Sequence, residues 1–143
     1  MLNPILYHLI LAAICGYALW RGRFDERFTA IVCLVATFAT RLALSPTAQR
    51  YSSLEVGVLI VDSVTFVAFS FIALRSERFW PLWVSGLQLT TTMAHFMKAI
   101  DASLFPQAYA AAGRFWGYPI LLILAIGAHR TSLRARRASA LST

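Results

Sequence analysis

Charged residues are scarce in this chain. Only 13% of the 143 residues are Asp, Glu, Lys or Arg, whereas 59% are hydrophobic and the mean hydropathy is +0.66. Soluble domains average about 25% charged residues. A chain of this size has too few polar side chains to cover a soluble fold, so the composition favours the lipid bilayer as its solvent.

Cysteine and glycine are also few, and enzyme motifs are missing. The two cysteines, Cys15 and Cys33, form no C-x-x-C pair, which argues against a zinc site. The seven glycines are scattered, and no phosphate-binding loop, H-E-x-x-H or G-x-S-x-G occurs. We therefore expect no metal site, and the sequence leans against an enzyme without identifying a catalytic residue.

Five apolar segments fill most of the chain. They cover about 4–20, 28–44, 54–74, 80–100 and 109–129. Each is near the roughly 20 residues that a helix needs to cross a bilayer. The sequence predicts an all-α, polytopic transmembrane bundle of about five helices over residues 1–130, with a flexible basic tail at 131–143.

The basic residues predict the orientation of this bundle. Nine of the 13 Lys and Arg residues fall in segments on one side of the five helices, and four fall on the other. The positive-inside rule then puts the N-terminus outside and the C-terminus in the cytoplasm, in a bacterial inner membrane. Because these residues stand at the ends of apolar segments, we expect contact with the lipid bilayer and no nucleic-acid partner.

Asp62 is an ionisable residue well inside the third apolar segment. A charged side chain there costs about 2.5–3.5 kcal/mol on insertion scales. Such a residue usually faces the bundle interior or a water-filled cavity. Two interpretations remain open: a site for a proton, cation or polar solute, or a structural ion pair or protonated acid.

The fourth segment has a polar stripe with helical spacing. Its members recur every three or four residues and would share one face. They are Ser85, Gln88, Thr91, Thr92, His95 and Lys98. The stripe either lines a pocket or pathway, or makes hydrogen bonds between helices.

Depth connects the candidate residues. In the five-helix topology Asp62, His95, Lys98, Arg41 and Arg114 all fall in the outer half of the membrane. We hypothesise an outward-facing pocket that binds or passes a small polar solute or proton. The alternative is an accessory subunit of a larger membrane complex, with the stripe facing a partner. Either way, the small size predicts a homo-oligomer or a partner subunit.

Two weaker patterns complete the predictions. His8 and His95 lie at similar depth, and two facing imidazoles can ligate b-type haem. This is a minor alternative, and otherwise no cofactor is expected. The triplet Glu-Arg-Phe occurs at residues 26–28 and again at 77–79, each time at the start of an apolar segment. We interpret it as two loops that meet the same membrane interface.

Overall fold

The described residues form five α-helices. The structure is a computed structural model that describes residues 4–43, 56–100 and 115–141. The helices are α1 (Pro4–Arg21), α2 (Phe24–Ala43), α3 (Val56–Arg75), α4 (Trp80–Ile100) and α5 (Gly117–Ala140). No strand occurs within these three ranges, so the all-α prediction is confirmed.

The helix bounds differ most from the predicted segments at the C-terminus. We predicted a flexible tail from residue 131, but α5 continues to Ala140. The segment after Gly127 holds no further Gly or Pro and is rich in Ala, Arg and Leu, which are strong helix formers. Its charge density had suggested a solvated coil. The predicted start of the fifth segment, at 109–114, lies outside the described residues.

The helices pack as a ring in chain order. Each helix contacts the next described one, α5 returns to α1, and α5 also touches α2. The apolar core at the centre combines small side chains of α1, α2 and α5 with larger side chains of α1, α3, α4 and α5. It consists of Leu11, Cys15, Ala18, Ala30, Cys33, Phe69, Val84, Ile120, Leu121, Leu124 and Ala128. Small residues at these positions let the helices approach closely.

Among the described residues, only α3 is both long and apolar enough to cross a membrane by itself. Its mean hydropathy is 2.2. Over the described residues α1 is also apolar but shorter, at Ile5–Arg21, whereas α2, α4 and α5 hold more polar or charged side chains. On α4 these side chains are buried in the bundle, while large apolar residues on the same helix, including Leu82, Trp83, Met97 and Ile100, are exposed.

Candidate functional site

The ion pair between Asp62 and His95 joins α3 to α4. Asp62 Oδ2 lies 2.8 Å from His95 Nε2, and the two side chains are only 15% and 9% exposed. Asp62 is the seventh residue of α3, and His95 is in the second half of α4. Because consecutive helices run antiparallel, the two residues meet at one level. Nε2 donates a hydrogen bond to the carboxylate, and the contact is an ion pair when the imidazole is protonated.

Two further side chains of α4 hold this pair in place. Gln88 Nε2 lies 3.2 Å from Asp62 Oδ1 and 3.4 Å from the Asp62 main-chain oxygen. Thr92 Oγ1 lies 3.3 Å from that same main-chain oxygen and 3.0 Å from the main-chain oxygen of Gln88. Gln88, Thr92 and His95 are one turn apart, so a single helix face supplies every contact. The carboxylate is therefore oriented by donors on both of its oxygens.

Buried polar residues continue along α4 in both directions from the pair. Lys98 is one turn beyond His95 and is 1% exposed. Ser85 is one turn before Gln88, and its hydroxyl lies 2.9 Å from that of Ser70 on α3. Thr91 is only partly buried, and its hydroxyl lies 3.4 Å from the Leu87 main-chain oxygen. The polar stripe thus packs mainly against α3 of the same chain.

The remaining candidates lie apart from this group or outside the described residues. Arg41 is exposed in the last turn of α2, and Arg114 lies outside the described residues. The partner of Asp62 in the structure is His95 on α4. His8 packs edge-on against Tyr7 on α1, with ring centroids 5.6 Å apart. Ligation of haem iron by His95 Nε2 would require its contact with Asp62 to break.

Sequence reasoning missed a second buried network, at the opposite end of the bundle. Glu26 at the start of α2 is fully buried and pairs with Arg78, which precedes α4, at 2.5 Å. Thr131 of α5 donates to Glu26 Oε1 at 2.6 Å and accepts from Arg78 Nη1 at 2.5 Å. Three distant segments of the chain therefore meet at one carboxylate.

The loops around Glu26 extend this network. The Arg23 amide donates to Glu26 Oε2 at 2.9 Å, and Ser76 donates to Asp25 Oδ2 at 2.6 Å. The repeated Glu-Arg-Phe triplet was the available signal, because the Glu of its first copy binds the Arg of its second. The interpretation of the two copies as two loops at the same membrane interface does not include this contact, because nothing local in the sequence shows that the loops meet.

The described residues contain no group of three His, Cys, Asp or Glu side chains that could hold a metal ion. No known protein family, curated protein or solved structure matches this chain. A functional assignment therefore depends on the geometry of the sites themselves.

Proposed function

We propose that this chain is a multi-pass membrane protein that binds a proton at Asp62 and His95 and passes it along the interface between α3 and α4. The contact between Asp62 and His95 is the main observation behind this proposal. The alternative occupant, a small polar solute, fits less well because side-chain contacts of 2.8 to 3.4 Å already fill the site. A proton needs no such space.

The distribution of side chains supports membrane placement. On α4 the buried polar residues include Gln88, Thr92, His95 and Lys98. Many large apolar side chains on all five helices are exposed. Soluble monomers rarely expose contiguous apolar patches of more than a few hundred Å². Polar residues inside and apolar residues outside suit a bundle in lipid. Helices of 18 to 24 residues are about 27–36 Å long, which suits the hydrocarbon core.

Transfer of a proton within the pair breaks the N–H bond of His95 and forms an O–H bond on Asp62. A proton on His95 Nε2 faces Asp62 Oδ2 directly, so the pair can hold a proton on either atom. Among the described residues of α4, Lys98 is the next buried ionisable residue after His95, and Ser85, in contact with Ser70, is the next buried polar residue before Gln88. Water would have to bridge the remaining distance.

A flux measurement in vesicles tests this proposal. Purified protein is reconstituted in vesicles that contain a pH-sensitive dye, and external acid is added. We expect Asp62→Asn and His95→Gln each to slow acidification about a hundredfold, the low end of what a proton-transfer group contributes, because each variant removes one of the two groups that exchange the proton. Thr90→Val is the matched control, since Thr90 is exposed on the same helix.

Folding must be measured in the same samples. Membrane yield and unfolding temperature separate a functional role from a structural one. Wild-type flux no faster than protein-free vesicles, or unchanged flux in well-folded Asp62→Asn, contradicts the proposal. An absorbance spectrum of the same preparation tests the haem alternative, since bound haem would give a Soret band.

A groove between α2 and α3 favours a second candidate, an accessory subunit of a membrane complex. The groove has a volume of about 290 Å³ and apolar walls, with Ala36, Ala39 and Ala68 among its lining residues. Small residues in such a groove permit close packing of another helix. If a membrane partner co-purifies with the tagged chain, Ala39→Leu should release it, while Asp62→Asn should not.

A further inference from the structure

A cavity with basic walls opens where α1 ends and α2 begins, at the same end of the bundle as Glu26. Its volume is about 320 Å³. Three helices contribute to it, and neither the Asp62 site nor the Glu26–Arg78 contact forms its walls. The lining residues are Trp20, Arg21, Gly22, Arg27, Ser132, Ala135, Arg136 and Ser139.

The C-terminal extension of α5 forms one wall of this cavity. Ser132, Ala135, Arg136 and Ser139 are spaced at three and four residues, so they share one face of the helix. Three of the four have small side chains, which leave the volume open. Arg136 is the only one of them with a charge. Helical structure beyond residue 130 therefore creates this site.

The opposite wall comes from the junction of α1 and α2. Gly22 directly follows α1, and its amide donates a hydrogen bond to the Ala18 main-chain oxygen at 2.8 Å. A Cβ atom on Gly22 would lie 2.3 Å from that oxygen and 2.6 Å from Glu26 Cβ, so only glycine fits. Arg21 precedes this tight junction and Arg27 follows it, and both line the cavity.

The chemistry of the walls is suited to a phosphate group. Three arginines line the cavity, and no Asp or Glu of the described residues does. Planar guanidinium groups bind phosphate oxygens through paired, charge-assisted hydrogen bonds. Arg21 is held over the Trp20 ring, with its central carbon 4.4 Å from the ring centroid. Trp20 is 71% exposed, which puts an aromatic surface beside the charges.

From this arrangement we propose that Arg21, Arg27 and Arg136 form a binding site for a phosphate-bearing anion, with an anionic lipid headgroup as occupant. The exposed Trp20 ring favours a lipid over free phosphate, because tryptophan is enriched where headgroups meet acyl chains. This assignment rests on the membrane placement proposed above, but not on proton binding at Asp62.

Lipid binding to the purified full-length protein tests the site. The protein is titrated in detergent with phosphatidylglycerol, with phosphatidylcholine as the zwitterionic comparison, and native mass spectrometry counts bound lipid. We expect Arg136→Gln to weaken phosphatidylglycerol binding about tenfold, the loss of one charge-assisted contact. Arg134→Gln removes the same charge from the exposed side of α5 and should leave binding within about twofold.

Two further arms identify the occupant and the geometry. Arg136→Lys keeps the charge but loses the planar fork, so it should restore binding only in part. Inorganic phosphate at millimolar concentration should not displace phosphatidylglycerol if the occupant is a lipid. Displacement with the same dependence on Arg136 would keep the phosphate site but make free phosphate its ligand.

The result that overturns the site is equal loss of lipid in Arg136→Gln and Arg134→Gln, which would mean that the net charge of the helix acts without a defined site. Failure of the proton assay leaves this comparison unaffected, because the variants of the two proposals share no residue. If cell fractionation finds the protein outside membranes, the lipid occupant is excluded, and the phosphate titration alone decides whether the site exists.

Discussion

Replacement of Glu26 by glutamine should destabilise the bundle strongly. The substitution keeps the shape of the side chain but removes its charge, and it leaves Arg78 facing a neutral partner in a largely buried site. Loss of one partner from a buried ion pair costs about 3–5 kcal/mol. Because the Arg78 side chain is 23% exposed, water can reach part of it, so we expect the lower end of this range, about 3 kcal/mol.

The expected shift can be measured with the chain's own cysteines. Cys15 and Cys33 are 0% and 8% exposed, so a thiol-reactive dye should label them only as the protein unfolds. For a chain of this length, 3 kcal/mol corresponds to an unfolding temperature lower by about 10 °C. Glu77→Gln, the same change at an exposed position in the neighbouring loop, should shift it by less than about 2 °C.

A double-mutant cycle tests the pairing itself. Arg78→Met alone leaves the Glu26 carboxylate buried with no cationic partner, so it should be at least as damaging as Glu26→Gln. The double variant removes both charges and should lose less stability than the two single changes together. If Glu26→Gln shifts the unfolding temperature no more than Glu77→Gln, or if the two single effects simply add, the reasoning fails.

Three further substitutions can be followed in the same assay. Thr131→Val removes a hydroxyl that contacts both members of the ion pair, and it should lower stability by about 1.5–3 kcal/mol; no change in unfolding temperature would contradict this. Gly22→Ala should destabilise the protein through its clash with main-chain oxygen, whereas Gly16→Ala, where nothing lies within 4 Å, should be neutral or stabilising; equal effects would refute the contrast. Gly127→Leu should lower the unfolding temperature because a Cβ there already lies 3.3 Å from the Trp80 ring, and an unchanged value would mean that the ring moves freely.

The helices were predictable because their signals are local. The length of each apolar run and the Arg residues at its ends placed α1, α3 and α4 within about two residues of their described bounds. The end of α5 was missed because charge density was given more weight than the helix propensity of residues 131–140. The basic cavity could not be predicted from a flexible tail, because Arg136 and Ser139 line it from the helical extension of α5.

The candidate site was predictable in part. The three- and four-residue spacing of the polar stripe indicated one face of α4, and Asp62 stood out because its neighbours are apolar. The partner of Asp62 was harder to identify, since arginine on α2 and histidine on α4 lay at similar depth. The choice depends on the extensive packing of α3 against α4, which brings His95 within 2.8 Å.

By itself, the sequence determined the all-α class, the approximate position of five helices and the polar face of α4, because these depend on composition and on periodicity within short segments. Tertiary structure decided which charges meet. Glu26 and Arg78 are 52 residues apart, and Thr131 is 105 residues from Glu26. Their contact requires α5 to pack against both α2 and α4 in one register, which only the packing of the whole ring can specify.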